Sequence, residues 1–260
     1  MAKDFNSPKV VEGYDVHIRK LIPGYEVIHQ QVDAILQSVL PPDAHILIVG
    51  CGTGYELDYL LKRHPNWQFT AVDPSLTMLQ KAQEQVEILG KSTQVTFVHG
   101  ETSALPLESC FDAALSILVA HFIADDIKPA FFKDIYKRLK EKAPLLTYDL
   151  MTCVNPQQLQ ALHYLCLAQG LTEEQCQKML ERMAEDFFSL TTEGYIKLLE
   201  ETGFESVQPY TQILTYQGII AKKYSVHDKF HRTLILSGFC LLKIAKISLN
   251  SSFFPKPIKR

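Results

Sequence analysis

A run of apolar residues followed directly by three closely spaced glycines constrains this chain more than any other feature. Residues 46–49 are Ile-Leu-Ile-Val, and they are followed by Gly50, Gly52 and Gly54. Four consecutive apolar residues predict a buried parallel strand. The glycines predict a tight turn at which the backbone approaches a ligand, and residues 56–63 have the pattern of a helix whose first amides face that ligand. The stretch therefore predicts the first half of a βαβ nucleotide site.

The spacing of the glycines narrows the class of ligand. It is Gly-x-Gly-x-Gly, whereas dinucleotide-binding folds have Gly-x-Gly-x-x-Gly, and Tyr55 occupies the place of their third glycine. A loop of this pattern need not hold a pyrophosphate. It suits a ligand with a sulfonium or thioether linker and an amino-acid tail, a description that fits S-adenosylmethionine (SAM). On this motif alone, a structural turn without a ligand remains the alternative.

An acid ends the second predicted strand, which covers residues 67–72. This acid, Asp73, lies 19 residues after Gly54. A carboxylate at that place accepts hydrogen bonds from both ribose hydroxyls in doubly wound folds. The alternative is that Asp73 caps the helix that begins near Ser75. Because the loop and the acid occur together, ribose binding is the favoured interpretation.

A third strand, predicted over residues 94–98, leads to a second group of polar residues. Glu101 is placed to accept a hydrogen bond from an adenine amino group, and the backbone amide of Thr102 is placed to serve a ring nitrogen. An ordinary solvated loop acid is the alternative for Glu101. These residues complete a predicted nucleoside site at the ends of three strands.

Strand and helix patterns alternate five times, which predicts a parallel sheet with right-handed crossovers. The remaining predicted strands cover residues 111–118 and 143–150, with a hairpin at 206–222, and the helices cover residues 26–40, 76–89, 126–139 and 192–202. Two helical segments within residues 155–190 stand where one short loop would do. Because they follow a strand, we expect them to cover the carboxyl edge of the sheet as a lid.

Composition excludes several classes of protein. The chain has 260 residues, of which 47% are apolar, and this is enough for one substantial core. A net charge of −3 argues against a wholly basic nucleic-acid binder. Six scattered cysteines without a Cys-x-x-Cys pair predict reduced thiols of a cytoplasmic protein and no metal site. The first residues have no apolar signal region.

Charge is concentrated at the C-terminal end. Nine of the 26 Lys and Arg residues, but one of the 29 acids, follow position 221. The apolar run 234–242 is too short to span a bilayer. A basic helix packed on the domain, peripheral attachment to an anionic membrane and a clamp for the phosphate backbone of RNA are the three interpretations of this tail.

Four ordered motifs resemble those of the class I SAM-dependent methyltransferases. They are Gly-Cys-Gly-Thr-Gly at 50–54, Ala-Val-Asp-Pro-Ser at 71–75, Gly-Glu-Thr-Ser-Ala-Leu-Pro at 100–106, and Phe-Asp-Ala-Ala-Leu-Ser at 111–116 leading to His121. The resemblance implies a Rossmann-like α/β/α sandwich with three layers. Its seven-stranded, mostly parallel sheet would have one antiparallel strand near an edge.

The resemblance also implies a domain organisation and a set of site residues. A SAM-binding domain would cover residues 1–223, with an N-terminal arm at 1–25 and a helical lid at about 155–190, before a basic, helical tail at 224–260. The implied cofactor-binding residues are Gly50, Cys51, Gly52, Gly54, Asp73, Pro74, Met78, Gly100, Glu101, Thr102, Arg19 and Ser116. His121 and Tyr14 are the candidate catalytic residues. Packing beside the cofactor is the alternative for His121, and pairing with a surface acid is one alternative for Arg19.

Within the family, the chain is similar to the carboxy-SAM synthase branch, whose members make or use a modified SAM for wobble-uridine modification in tRNA. The similarity rests on Tyr14, Arg19, Pro23-Gly24-Tyr25, the lid and the Thr-Gly-Phe turn at 202–204. Two positions depart from the family. Ile48 stands where the family has an acid that helps to hold the methionine end. Leu180 stands where the branch has a lid arginine, with Lys178 and Arg182 nearby.

These features predict a SAM-dependent methyltransferase with a small-molecule acceptor, and the departures favour ordinary methyl transfer. A carboxy-SAM synthase-like enzyme, a tRNA-modifying methyltransferase and a non-catalytic SAM-binding protein are the alternatives. The tail leaves contact with tRNA or with a membrane surface open, and a homodimer is also open.

Overall fold

A seven-stranded sheet forms the centre of the computed structural model, which describes residues 5–153 and 155–224. The strands are β1 (His45–Val49), β2 (Gln68–Asp73), β3 (Val95–His99), β4 (Ala113–Ile117), β5 (Pro144–Leu150), β6 (Phe204–Ile213) and β7 (Tyr216–Lys223), in the order 3-2-1-4-5-7-6. β1 to β5 pair in parallel, whereas β7 runs antiparallel between β5 and β6. The predicted mostly parallel sheet with one antiparallel strand near an edge is therefore confirmed.

Helices cover both faces of the sheet. They are α1 (Pro8–Glu12), α2 (Tyr14–Leu21), α3 (Tyr25–Val39), α4 (Tyr55–Leu61), α5 (Leu76–Ile88), α6 (Lys128–Arg138), α7 (Pro156–Ala168), α8 (Glu173–Glu185) and α9 (Thr192–Thr202). β1 shows why its sequence is continuously apolar. Ile46 and Ile48 belong to the buried cluster under α3, α4 and α5, while Leu47 and Val49 belong to the cluster under α6 and α9. Since successive side chains of a strand alternate between faces, a strand covered on both sides is apolar throughout. The predicted three-layer sandwich is confirmed.

Two helices, α7 and α8, are inserted between β5 and α9, where the sequence predicts a lid. Thr172 caps α8 through a hydrogen bond from the amide of Gln175, whose side chain accepts from the Thr172 amide in return. This reciprocal capping box explains why α8 begins where it does. Leu162 and Cys166 of α7 and Met179 of α8 are buried in the same cluster as α3.

The sequence predicts an arm over residues 1–25, and the structure shows that much of its described part is helical. Its described part contains α1 and α2, and Ile18 of α2 is buried. The predicted basic tail falls outside the described residues from position 225 onward, so that its helical character and the domain boundary at 223 stay predictions. Among the helices in the described ranges, none has the length and apolar character needed to cross a membrane.

Candidate functional site

A cavity of about 580 Å³ opens at the carboxyl edge of the sheet, and we call it the first cavity. It lies where the loops after β1, β2, β3 and β4 come together. β1 and β4 are neighbours in the strand order 3-2-1-4-5, so the chain switches direction along the sheet between them. Crevices at such switch points are the usual ligand sites of doubly wound folds, and this volume is typical of a small-molecule site.

The glycine loop after β1 forms one wall of the first cavity. Gly54 has φ +88° and stands where an added Cβ would lie 2.9 Å from the Cβ of Ala82, so this glycine lets α4 pack closely on α5. Gly52 has φ +52°, but an added Cβ there would meet no atom within 4 Å. Because Gly52 also lines the cavity, its missing side chain leaves room for a ligand.

Asp73, at the end of β2, is buried and lines the same cavity. Its Oδ2 accepts a hydrogen bond from the amide of Gly52 at 2.8 Å, and its Oδ1 accepts one from the amide of Ser75 at 2.8 Å. Burial raises the pKa of Asp73, and the two amide hydrogen bonds oppose that rise. Ser75 itself caps α5 by accepting from the Met78 amide. A carboxylate has about four acceptor positions, so Asp73 retains capacity for a ligand beside these two bonds.

The loop after β3 supplies the wall opposite the glycine loop. Gly100, Glu101 and Thr102 line the first cavity, as do Pro74 and Met78 after β2. Glu101 is exposed, whereas the Oγ1 of Thr102 is buried and has no hydrogen-bond partner among the described residues. A buried hydroxyl without a partner is costly, and a polar ligand atom in the cavity would satisfy it.

A second cavity of about 350 Å³ adjoins the first and shares four of its lining residues. The shared residues are Phe5, Tyr14, Leu118 and Phe122. Its other walls come mainly from α2, from the loop after β4 and from the lid helix α8, and most of the side chains are apolar. Lys178 and Arg182 on α8 are the cationic side chains among its described lining.

His121 lines the second cavity. Its ring contacts a buried acid, Asp149, near the end of β5. Its Nδ1 lies 2.9 Å from the Oδ1 of Asp149, and the hydroxyl of Tyr195 donates to the Oδ2 of Asp149 at 2.8 Å. All three side chains are buried, and Asp149 is 0% exposed. Sequence reasoning placed Asp149 on the fifth strand but gave no role to Asp149 or Tyr195. An acid that ends a strongly apolar strand was the available signal, as at Asp73.

The family profile described as a methyltransferase domain matches residues 46–142, which include the glycine loop, Asp73, the loop after β3 and His121. Residues 46–142 are therefore similar to a methyltransferase domain. The cofactor of this family is SAM. A curated relative, the carboxy-S-adenosyl-L-methionine synthase of Desulfotalea psychrophila, is 25% identical over 231 residues, which cover 85% of this chain and 91% of the relative.

Solved structures show that the methyltransferase domain shares its fold with distant proteins. Human N-acetylserotonin methyltransferase in complex with SAM aligns with a TM-score of 0.51 and 19% identity, over 76% of this chain and 55% of that one. An O-methyltransferase family protein from Burkholderia thailandensis aligns with a TM-score of 0.54 and 15% identity, over 76% of this chain and 57% of that one. This chain therefore spans little more than half the length of either protein.

Eight of the twelve cofactor-binding residues predicted for the methyltransferase domain line the first cavity, and four do not. The four outside the described lining are Cys51, Gly54, Ser116 and Arg19. Cys51 and Ser116 are buried in the core, and burial raises the pKa of the Cys51 thiol. The half-exposed side chain of Arg19 lies 3.8 Å from a carboxylate oxygen of Glu26. This contact matches the surface pairing that sequence reasoning left open for Arg19.

Tyr14, a candidate catalytic residue, lines both cavities. Burial raises the pKa of its hydroxyl, and the nearby charges of Glu56, Asp15 and Asp73 raise it further. Tyr14 therefore keeps its proton at neutral pH. It is suited to donating a hydrogen bond and not to removing a proton from an acceptor.

Two residues near the N-terminus line the first cavity, although sequence reasoning gave them no role. The hydroxyl of Ser75 donates to the carbonyl of Phe5 at 2.8 Å, and that of Thr77 donates to the carbonyl of Asn6 at 2.9 Å. The ring of Phe5 packs edge-on against Phe122, with ring centroids 5.4 Å apart. These are long-range contacts between a short polar segment and α5, and no local pattern signals them.

Proposed function

We propose that this chain is an enzyme that transfers the methyl group of SAM to a small-molecule acceptor. The observation that carries the proposal is the pair of adjoining cavities. The first has the polar groups that an adenosyl ligand needs, and the second is mostly apolar and shares walls with it. Two ligands bound side by side in this way are held for direct transfer, which is the main contribution that such an enzyme makes.

The first cavity fits SAM on the evidence of its own residues. Gly52 leaves open space, and Asp73 has free acceptor positions for ribose hydroxyls. Glu101 and Thr102 offer polar groups for the adenine, and the buried Thr102 hydroxyl has no other partner among the described residues. Gly50, Pro74, Met78 and Gly100 complete the proposed contact set. When bound, SAM supplies an electrophilic methyl group on a sulfonium.

The methionine end of SAM requires a different anchor from the usual one. Ile48, which stands at the position of the family's acid, is 2% exposed in the core and is not part of the described lining of the first cavity. We assign this role to the backbone amides of the glycine loop and to the protonated hydroxyl of Tyr14, which lines the cavity beside Gly50 and Gly52. In this proposal, Cys51 and Gly54 help to set the shape of the loop without lining the cavity themselves.

Aromatic side chains pack together where the two cavities meet. Phe122 packs edge-on against Phe5 of the N-terminal segment and against Phe187, which follows the lid helix, at centroid distances of 5.4 and 5.2 Å. The backbone amide of Phe188 donates to the carbonyl of His121 at 2.9 Å and so joins the end of the lid to the loop after β4. In the proposal, these groups help to exclude water from the reacting groups once both ligands are bound.

The second candidate is an enzyme of the carboxy-SAM synthase type, and two observations favour it. Curated relatives carry that name, and Lys178 and Arg182 line the second cavity, where they would pair with a carboxylate. Leu180, between them in sequence, packs against the core instead. Incubation of the purified chain with SAM and prephenate tests this candidate, because a carboxylated SAM is heavier than SAM and is identified by mass spectrometry.

Methyl-labelled SAM tests the main proposal. The chain is incubated with labelled SAM and a low-molecular-mass metabolite extract, with the Asp73→Ala variant as control. We expect label to pass to a small molecule and S-adenosylhomocysteine (SAH) to accumulate, both much faster with the unaltered chain. Label that stays in SAM would instead support the non-catalytic alternative, and label that enters added tRNA would support a tRNA-modifying enzyme.

The proposal includes a cytoplasmic location, which rests on the thiols. Cys51, Cys110, Cys153, Cys166 and Cys176 are all free cysteines. A reducing compartment maintains such a set, whereas secreted proteins commonly pair their cysteines. Contact with tRNA or with a membrane surface would depend on the basic tail, which lies outside the described residues.

A further inference from the structure

We infer that the second cavity binds an acceptor with a protic hydroxyl or amine, and that the Nε2 of His121 removes its proton while Asp149 holds the ring in place. The inference rests on the proposed function, since it assigns the acceptor side of the same reaction. It adds a base, two positioning residues and a chemical class of acceptor.

The position of His121 is set by contacts on one side of its ring. Nδ1 lies 2.9 Å from the Oδ1 of Asp149, and the backbone amide of His121 is 3.4 Å from the same oxygen. The ring of Phe187 packs edge-on against the imidazole at a centroid distance of 5.1 Å. No group in the described ranges 5–153 and 155–224 hydrogen-bonds to Nε2. That nitrogen is left for a ligand in the cavity that His121 lines.

The partners of Asp149 determine which ring nitrogen carries the proton. Tyr195 donates to Oδ2 at 2.8 Å, and burial together with the charge of Asp149 raises the pKa of the Tyr195 hydroxyl, so that this hydroxyl stays a donor. An ionised carboxylate only accepts hydrogen bonds. The Nδ1 of His121 must therefore donate, and the neutral ring then presents the lone pair of Nε2 to the cavity.

The lining of the second cavity indicates what kind of molecule brings the proton. Ile18, Leu21, Met179, Met183 and Phe187 are among its apolar walls. An aromatic or otherwise apolar body suits this surface.

The charged groups around the cavity are largely balanced by their own partners. Lys178 pairs with Glu174 at 2.7 Å, and Arg182 pairs with Asp186 at 3.0 Å. Besides His121, the other titratable groups of its described lining are His17, Tyr14 and Tyr216. Because the two lid cations are already compensated, the cavity favours a neutral, weakly acidic acceptor such as a phenol over a strongly anionic one.

The reaction balances with one proton transferred to the protein. The acceptor's O–H or N–H bond breaks as its proton passes to Nε2 of His121, and the electron pair left on oxygen or nitrogen forms the new bond to the methyl carbon. The carbon–sulfur bond of the sulfonium breaks, and sulfur keeps the electron pair. The products are a methyl ether or methylamine, SAH and an imidazolium that returns its proton to solvent. Removal of a proton by a positioned base contributes about 10²- to 10⁴-fold to such rates.

Nitrogen-15 NMR of histidine-labelled protein with bound SAH tests the geometry without turnover. The His121 signals are identified by their absence from the His121→Gln variant. We expect the neutral ring of His121 to carry its proton on Nδ1, and the Asp149→Asn variant to lose this preference. We expect the Nε2 signal to move on addition of 4-nitrophenol, and not with 4-nitroanisole, which has no proton to give. An Nε2–H ring in the unaltered protein, or no response to 4-nitrophenol, would overturn the inference.

Methylation of 4-methylphenol to 4-methylanisole gives a second readout, because this phenol keeps its proton at neutral pH. We expect His121→Gln to lower the rate about 10²- to 10⁴-fold at neutral pH. The loss should shrink as pH rises, because the phenol then ionises without a base, and a merely structural defect would not recover in this way. Asp149→Asn should act in the same direction, and His163→Gln, on α7, should match the unaltered chain.

Binding of SAH distinguishes a failure of the proposed function from a failure of this inference alone. If the unaltered chain does not bind SAH in a calorimeter, the proposed function itself fails. If all variants bind SAH equally and His121→Gln methylates 4-methylphenol as fast as the unaltered chain, this inference alone fails.

Discussion

Asp73 and Asp149 are two buried carboxylates that each end an apolar strand, yet their surroundings give them different chemistry. Asp73 accepts hydrogen bonds from two backbone amides and lines the first cavity. Asp149 accepts from the hydroxyl of Tyr195, lies 2.9 Å from the Nδ1 of His121 and is completely buried. In our proposals, Asp73 would meet a ligand directly, whereas Asp149 would act on a ligand only through His121.

The raised pKa of Asp73 gives a prediction at the scale of this residue. Ribose hydroxyls donate to the ionised carboxylate, so that bound SAH lowers a pKa that burial has raised above its usual 3.8. At pH values near or below the raised pKa, where Asp73 is partly protonated, binding of SAH should then release a proton. Its affinity should be constant above the raised pKa and should fall as pH drops through that value. Calorimetry from neutral to mildly acidic pH measures this dependence.

The Asp73→Asn variant provides the comparison. At neutral pH it should bind SAH about 10- to 100-fold more weakly, since a hydrogen bond to a charged group is worth about 1.5–3 kcal/mol. Its remaining affinity should not change across the acidic range. Equal affinities for the variant and the unaltered chain would remove Asp73 from the ribose site.

At the scale of structural elements, the glycine loop and the lid each combine packing with ligand binding. In the loop, Gly54 permits the contact between α4 and α5, while Gly52 faces open space. At the end of the lid, the carbonyl of Phe188 accepts from the buried Lys128 of α6, which also donates to the carbonyl of Ile123 and pairs with Asp125. One lysine thus joins the loop after β4 to the segment that follows α8.

The Gly54→Ala and Gly52→Ala variants should separate folding from binding. Both place alanine at a positive φ, which costs about 1–2 kcal/mol. Only Gly54→Ala also brings a Cβ to 3.0 Å from the Cα of Ala82, so its melting temperature should fall further. Gly52→Ala should lose more than tenfold in SAH affinity, because its Cβ stands in the cavity. Thermal melts and calorimetry measure the two effects, and the reverse ranking would contradict the assignment.

The Lys128→Met variant tests the fastening of the lid. The carbonyls of Ile123 and Phe188 lose a charged donor, and a hydrogen bond to a charged group is worth about 1.5–3 kcal/mol. We expect faster amide hydrogen exchange over residues 186–190 while the exchange of β1 is unchanged. Lys62→Met is the matched control, because Lys62 is half exposed and pairs with Asp58 at the surface. Exchange over 186–190 that matches this control would show that Lys128 does not hold the lid.

At the scale of the whole molecule, the first cavity is lined by loops from four strands, by the N-terminal segment and by α6, and a ligand bound there would contact all of them. SAH should therefore stabilise the fold as a unit. At a concentration 100 times its dissociation constant, a ligand adds about 2.7 kcal/mol, which corresponds to about 5–10 °C for a domain of this size. Thermal melts with increasing SAH measure this rise. An unchanged melting temperature at saturating SAH would mean that the cavity does not bind it.

Local pattern predicted most of the fold because the deciding signals lie close together along the chain. The glycine loop follows an apolar strand, Asp73 ends the next strand, and α9 falls at Thr192–Thr202 where the sequence predicts a helix. The order of apolar and polar residues along a short stretch could not predict contacts between segments that are far apart in the sequence. The pairing of Asp149 with His121 spans 28 residues, and that of Ser75 with Phe5 spans 70. Such contacts depend on which strands become neighbours, so the acceptor side of the site was visible only in three dimensions.

The carbonyls of Phe5 and Asn6, held by the hydroxyls of Ser75 and Thr77, keep the N-terminal segment against the first cavity. If a spent cofactor leaves past this segment, its departure would break these two hydrogen bonds. A bulky tag fused ahead of Phe5 should then change the pace of turnover without touching any reacting group.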